Sequence, residues 1–432
     1  MRNNIVHAGA HELRYEIREI VEVGNKLCEM GLDICWENIG DPVHKGEKIP
    51  SWIKEAIKKA VDEDSSFEYC PTKGLDETRE FLADLCNKRR GIQITKEDIV
   101  FFNGLGDAIS KVYNYLRREA RVIGPSPAYS THSSSEAAHA GEDPIMYKLD
   151  PNNNWLPDME DLRDKVENNQ AISGILVINP NNPAGTVYPK EVMEEIVRIA
   201  EEFDLFIICD EVYLNITYNG TVSTPLSDVI NNVCGLSMKG ISKELPWPGA
   251  RCGWIETYNK DKDQIFREYF NTVLSAKMLE VCSTTLPQKV IPQLLCDPRY
   301  REYHEKRNKM YERRSVFAYD TLKKIDGIIV NQTDGAFYMT VAFKDGVLNE
   351  KQRLEIKDNT IRNYIEEITQ NVALDKRFVY YLLGAAGICV VPLTGFSCDL
   401  YGFRITLLET DEEKFEWIFT TIAEKTKDYL NS

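Results

Sequence analysis

No cysteine of this chain stands in a Cys-x-x-Cys pair or at a histidine-flanked zinc spacing, although eleven cysteines are present. An odd number without metal spacing reads as free thiols in a reducing cytoplasm, with neither a disulfide framework nor a metal site expected. Long apolar runs are missing too. Gly174–Ile178 is strand-sized, whereas a spanning helix needs about 20 apolar residues, so a membrane protein is not expected. Met1–His7 lacks the apolar core of a secretory signal. Positive charge is in short supply, with 52 Lys and Arg against 68 Asp and Glu and a net charge of −16. No basic stripe could neutralise phosphates, which argues against a nucleic-acid partner and against a DNA-binding regulator. No Gly-x-Gly-x-x-Gly opens a βαβ unit, which disfavours a nicotinamide dehydrogenase. Repeats of fixed period and low-complexity segments are absent as well.

What remains is an ordinary globular composition, 43% hydrophobic and 28% charged over 432 residues, enough for more than one core. Residues 11–30 place Leu13, Ile17, Ile20, Val21, Leu27 and Met30 at helical spacing before Gly31, which predicts a helix. From about residue 95 to 260, short apolar runs alternate with helical stretches, the pattern of a mostly parallel sheet covered by helices. Strands are expected at Ile99–Phe102, Arg121–Ile123, Ile175–Ile178, Leu205–Cys209, Gly235–Met238 and Cys252–Glu256. A charged helix, Arg299–Lys324, reads as the connector to a second domain with strands at Gly335–Phe343, Ile388–Val391 and Phe403–Leu408.

Chemistry concentrates at the ends of the expected strands. Lys243 follows one of them, at the carboxyl edge where open α/β sheets place their ligands, and a buried amine there is a competent nucleophile. Eight positions on, Arg251 stands in a Gly-Ala-Arg-Cys-Gly frame, with a planar fork suited to phosphate. Asp210 closes the apolar run Leu205–Cys209, so its charge needs a partner. Standing alone, it would read rather as a helix N-cap. Asn103-Gly-Leu-Gly-Asp-Ala108 follows a strand and opens a helix, so the N–H groups of Leu105 and Gly106 can meet an anion.

With Asn182-Pro-Ala-Gly185 and Asp210-Glu-Val-Tyr213 upstream, this ordered set resembles the class I/II aminotransferases of fold type I, leaning to the alanine-type branch. The resemblance covers nearly the whole chain. It implies an α/β fold with a mostly parallel seven-stranded sheet flanked by helices, plus a smaller α+β domain. Residues 1–50 would join the small domain, 51–305 form the large cofactor-binding domain and 306–432 the small C-terminal domain. The implied cofactor is pyridoxal 5′-phosphate, carried by Lys243 as a Schiff base, with the same lysine moving the proton at the substrate Cα. Asp210 would pair with the pyridine nitrogen, Asn182 and Tyr213 with the phenolic oxygen, and Arg251 with the phosphate.

The ring-stacking position has two candidates, Pro127 counting from Pro125 and Tyr129 counting back from Ala140-Gly141; only an aromatic face stacks, so Tyr129 is preferred. Arg404, in Gly402-Phe-Arg-Ile-Thr406, and Gly40, in Ile39-Gly-Asp-Pro42, match the elements that hold the substrate α-carboxylate. Tyr69 matches the tyrosine through which one subunit touches the other's phosphate, which implies a homodimer.

Departures from the family pattern are visible as well. Gly106 and Gly240 stand where hydroxyl residues are common, and Lys239 is a possible substitute donor, though a solvated lysine is the plainer reading. The segment 345–375 is longer than in the alanine-type branch and could alter the substrate mouth. The implied activity is amino-group transfer from an L-amino acid to a 2-oxo acid by a ping-pong cycle in cytoplasmic amino-acid metabolism. A carbon–sulfur β-lyase of the same fold would share every residue named.

Overall fold

In a computed structural model, residues 4–13 and 16–432 are described, without the side chains of Glu16 and Ile17. The helix expected over 11–30 is observed at Glu16–Glu29; the positions 14–15 and the Ile17 side chain lie outside the described residues. After it, β1 (Cys35–Trp36) crosses to the far end of the chain and pairs in parallel with β12 (Ile388–Cys389).

The large sheet is built from β2 (Ile99–Phe102), β3 (Arg121–Ser126), β4 (Met146–Asp150), β5 (Leu156–Pro157), β6 (Ile172–Ile178), β7 (Phe206–Asp210), β8 (Gly235–Gly240) and β9 (Gly253–Tyr258). Their order is β2-β9-β8-β7-β6-β3-β4-β5. Only β9 and β5 run against the rest. The sheet therefore has eight strands, not seven. The extra one, Leu156–Pro157, is too short to show alternation, and its pairing with β4 through Leu149↔Pro157 is a tertiary event.

Central strands β6, β7 and β8 are buried almost throughout, as parallel strands covered on both faces must be. One face packs under Trp155, Tyr147, Tyr188 and Met193; the other packs under Ile109, Val112, Phe266 and Phe270.

A second, antiparallel sheet runs β10 (Ile328–Val330), β11 (Tyr338–Phe343), β14 (Gly402–Thr406), β13 (Val391–Pro392) in that order. Its core contains Phe378, Phe403, Phe415 and Tyr429, and it takes in Ile20 and Leu27 of the N-terminal helix. The connector helix Pro298–Leu322 packs Tyr300 and Tyr303 against the first core and Tyr311, Ala318 and Leu322 into the second, and buries His304, Arg307 and Arg314. Within 345–375, Leu348, Leu354, Ile356, Ile361 and Ile365 belong to the second core.

Candidate active site

Strand ends and loops from both sheets converge on a cavity of about 380 Å³. Lys243 reaches it three residues past the end of β8. Its Nζ donates to the Gly40 carbonyl at 2.6 Å. Burial pushes this amine down to about 8, with Arg404 and Arg307 acting in the same direction and Asp41 and Asp210 opposing. A free amine near neutral pH is what nucleophilic attack on an aldehyde requires.

Asp210 ends β7 and is 4% exposed. One carboxylate oxygen accepts the Val212 N–H at 3.1 Å. The other lies 3.1 Å from Nε2 of His132, a fully buried residue whose Nδ1 is 3.4 Å from the Tyr113 hydroxyl. His132 was not legible as a site residue in the sequence. Its one signal is its place three residues after Tyr129 on the helix Ser130–Ala140. Tyr129 itself is the N-cap residue of that helix and lines the cavity wall; Pro127, which follows a cis peptide bond, does not.

Asn182 and Tyr213 stand on the same wall. The Tyr213 hydroxyl is 3.0 Å from that of Tyr338, a second residue that the motifs did not single out. Tyr338 also explains Gly40, because a Cβ there would come within 2.0 Å of the Tyr338 hydroxyl.

Arg404 is brought in by β14 and is 1% exposed. Its Nη1 donates to Asn182 Oδ1 at 3.3 Å and its Nη2 to the Asn38 carbonyl at 2.5 Å. The guanidinium lies over the rings of Tyr338 and Phe396, at 4.5 and 5.0 Å, while Nε is buried without a hydrogen bond. Planar packing of this kind orients the fork toward the cavity.

At the opposite end, Gly104 takes a positive φ of 84° before the helix Leu105–Asn114, and its Cβ would strike the Arg251 guanidinium at 2.4 Å. Only glycine lets Arg251 lie across this turn. Arg251 is exposed, with Nη1 donating to the Pro248 carbonyl at 3.2 Å. Among the described residues the N–H groups of Leu105 and Gly106 meet no acceptor, and a Cβ on Gly106 would meet nothing within 4 Å. These free donors at a helix N-terminus beside an arginine fit a phosphate group, and Lys243, Asp210 and Tyr129 fit an aldehyde-bearing pyridine ring.

Lys239 does not compensate for the missing hydroxyls. It points into the protein, donating to Glu256 at 2.7 Å with Glu211 at 3.5 Å. Those buried carboxylates require a cation, and Lys239 supplies the charge. Tyr69 lies outside the cavity and is 84% exposed. No residue of 345–375 lines the cavity of the single chain. Arg18, from the N-terminal helix, does line it, and forms no ion pair among the described residues. Among the described residues no cluster of three or more His, Cys, Asp or Glu is placed to hold a metal ion, and no helix is long and apolar enough to cross a membrane.

A doubly covered sheet with a lysine past its central edge, joined to a small domain that supplies an arginine, defines an α/β transferase of fold type I. The chain belongs to the class I and II aminotransferases, whose family model matches residues 36–420. An aminotransferase of Methanocaldococcus jannaschii described as uncharacterised is 59% identical over the whole of both chains. The glutamate-pyruvate aminotransferase AlaA of Escherichia coli K12 is 27% identical over 75% of this chain and 77% of its own length. An alanine aminotransferase structure from Pyrococcus furiosus superposes with a TM-score of 0.82, at 26% identity and 98% coverage of each chain. The protein is thus an aminotransferase, and a lyase reading is not favoured. Members of this family are generally pyridoxal-phosphate dependent and act on amino acids and 2-oxo acids.

Proposed function

We propose that this protein uses pyridoxal 5′-phosphate to move an amino group between an acidic L-amino acid of the glutamate type and a short 2-oxo acid such as pyruvate. The observation that carries this reading is that the cavity with Lys243 has two arginines besides Arg251 at the phosphate end: Arg404 on the floor and Arg18 at the mouth. A dicarboxylate offers one carboxylate to each, and the names of the AlaA relatives agree with that pairing.

When bound, the cofactor supplies an electron-withdrawing ring and a carbon that receives the amino group. Everything else falls to the chain. Leu105 and Gly106 N–H groups with Arg251 bind the phosphate; Tyr129 covers the ring face. Asp210, oriented by His132, would pair with the ring nitrogen and hold its proton, while Asn182 and Tyr213 would meet the phenolic oxygen. Arg404 and the Gly40 N–H hold the α-carboxylate, which presents the substrate Cα proton to the Lys243 amine. Donor and acceptor use Arg404 in turn, so the cycle is ping-pong.

The active form we propose is a homodimer. Exposed Phe67 and Tyr69 lie beside exposed Leu279 and Val281. Thr72 Oγ1, donating to the Val281 carbonyl at 2.9 Å, and Thr285 Oγ1, donating to the Glu68 carbonyl at 2.7 Å, stitch the two segments together. Thr284 in turn donates to Asn103, at the start of the glycine-rich turn, so this apolar patch adjoins the phosphate end of the cavity. A second copy covering the patch would bring its Tyr69 to that end.

Eleven free cysteines suit a reducing cytoplasm. The division into 1–50, 51–305 and 306–432 is the domain organisation we favour, supported by the β1–β12 pairing and by the separate cores of the two sheets.

The test is a screen of amino donors against pyruvate and 2-oxoglutarate with the cofactor-loaded protein. Glutamate with pyruvate should turn over fastest. Preference for an apolar or aromatic donor, with glutamate inactive, would overturn the acidic-donor reading.

A further inference from the structure

Arg307 of the connector helix Pro298–Leu322 is 4% exposed, yet none of the motifs points to it. Its Nη1 donates to the main-chain carbonyl of Lys243 at 2.6 Å and lies 3.3 Å from that of Glu244. Nη2 donates to Glu47 Oε2 at 3.0 Å. The Tyr303 hydroxyl donates to the other oxygen of Glu47 at 2.6 Å. The rings of Tyr303 and Tyr311 lie 5.9 and 5.4 Å from the guanidinium. Glu47 belongs to the turn that follows Gly40, and its N–H donates to the Pro42 carbonyl at 2.9 Å. Gly40 is also the residue whose carbonyl receives the Lys243 amine. Lys243 is therefore held at both ends, its carbonyl by Arg307 and its amine by the loop that Arg307 grips through Glu47.

Burying an ion pair contributes little stability when set against an apolar filling of the same volume, so stability alone gives weak grounds for this arrangement. Proton transfer gives stronger grounds. An amine that takes a proton from one substrate atom must sit at the same point in every cycle, and an error of about 1 Å can cost on the order of 100-fold in rate. We propose that Arg307 is a positioning residue for Lys243, locking its main chain to the Gly40–Glu47 loop through the Glu47 ion pair. The inference rests on the reading of Lys243 as the acid–base group.

The test uses the full-length protein with Arg307→Gln, Arg307→Lys and Glu47→Gln, and Lys243→Ala in parallel. Two readouts separate positioning from mere folding. The first is the split between kcat and KM. Arg307→Gln should lower kcat by about 10–100-fold and leave KM for the amino donor within about threefold, because Arg404 is untouched. Arg307→Lys should recover part of kcat, since an ammonium can still donate to the Lys243 carbonyl but cannot fork between it and Glu47. The second is the pH midpoint for labelling of Lys243 by an aldehyde and borohydride in the cofactor-free protein. The charges acting on that amine are Asp41, Arg404, Asp210 and Arg307. Removing the last of these should raise the midpoint.

Wild-type kcat and an unmoved midpoint in Arg307→Gln, with turnover lost in Lys243→Ala, would overturn the positioning role alone. Full turnover in Lys243→Ala would overturn the acid–base reading and this inference with it. Should Arg307→Gln fail to fold, Glu47→Gln decides by the split between kcat and KM alone, because it keeps the size of the side chain and the Arg307 charge and removes only the ion pair: kcat should fall with KM within about threefold, and wild-type kcat would overturn the positioning role.

Discussion

His132 Nε2 and Asp210 Oδ2 lie 3.1 Å apart inside the protein, one on the helix that opens with the Tyr129 loop and the other at the end of β7. The imidazole thus occupies one lone-pair direction of a carboxylate that lines the cavity. Hydrogen bonds to charged groups are worth about 1.5–3 kcal/mol, which corresponds to about 10–100-fold in rate if the bond is needed to hold Asp210 in place. His132→Ala should lower the rate of Cα-proton exchange by that factor with cofactor still bound, and Asp210→Ala should lower it further. Wild-type exchange in Asp210→Ala would reassign the carboxylate as structural.

For Lys243 the expected outcome is covalent. Loaded protein should be yellow, and borohydride should leave a pyridoxyl group on the peptide containing Lys243; labelling of another lysine would sink the assignment. In cofactor-free protein, reactivity toward an aldehyde should rise through a midpoint near 8, the value to which burial brings this amine. The sign follows from the neutral form being the nucleophile. An ordinary lysine, titrating at about 10.4, would still be almost wholly protonated there. A labelling curve with its midpoint near 10 would show that the amine is solvated.

Arg18 makes a prediction about substrate choice. It lines the cavity mouth without an ion pair among the described residues. Arg18→Gln should raise KM for glutamate by about tenfold or more, the value of one charge-assisted hydrogen bond, while KM for alanine changes little. Equal effects on both amino acids would separate Arg18 from the side-chain carboxylate.

Tyr69 is 84% exposed in the single chain, on a segment that hydrogen bonds join to Val281 and Thr285. Tyr69→Phe should weaken cofactor retention, by roughly 1.5–3 kcal/mol if its hydroxyl meets a charged phosphate. Mixing Tyr69→Phe with Lys243→Ala subunits should regenerate a site with neither lesion, and with it activity of near-normal affinity. Full activity from a species that sediments as a monomer would rule out the shared site.

Lys243, Asp210 and Arg251 were legible in the sequence because each is tied to a local signal: the end of an apolar strand, or a short glycine-framed spacing after it. Strands are local objects, and in an open α/β sheet their carboxyl ends are also where ligands sit, so position along the chain already carried position in the site. The alternation of apolar runs and helices likewise determined the class of fold, and the N–H groups of Leu105 and Gly106 followed from a turn that opens a helix. The strand Leu156–Pro157 was not legible, because two residues carry no period and only β4 beside them makes a strand of them.

Side-chain meetings across the fold were decided by tertiary structure alone. Arg404 and Asn182 touch across 222 residues of chain, and Arg307 and Glu47 across 260. No spacing encodes such a pair, since it exists only once two sheets and a connector helix have packed. Lys239 shows the same dependence in reverse. Its neighbours in sequence favour a solvated lysine and allow a phosphate donor, but it is neither: Glu211 and Glu256 are buried beside it, and their desolvated charges claim it. The chain thus specifies locally which groups can do the chemistry, and packing decides which of them face the cavity and which are spent holding the others in place.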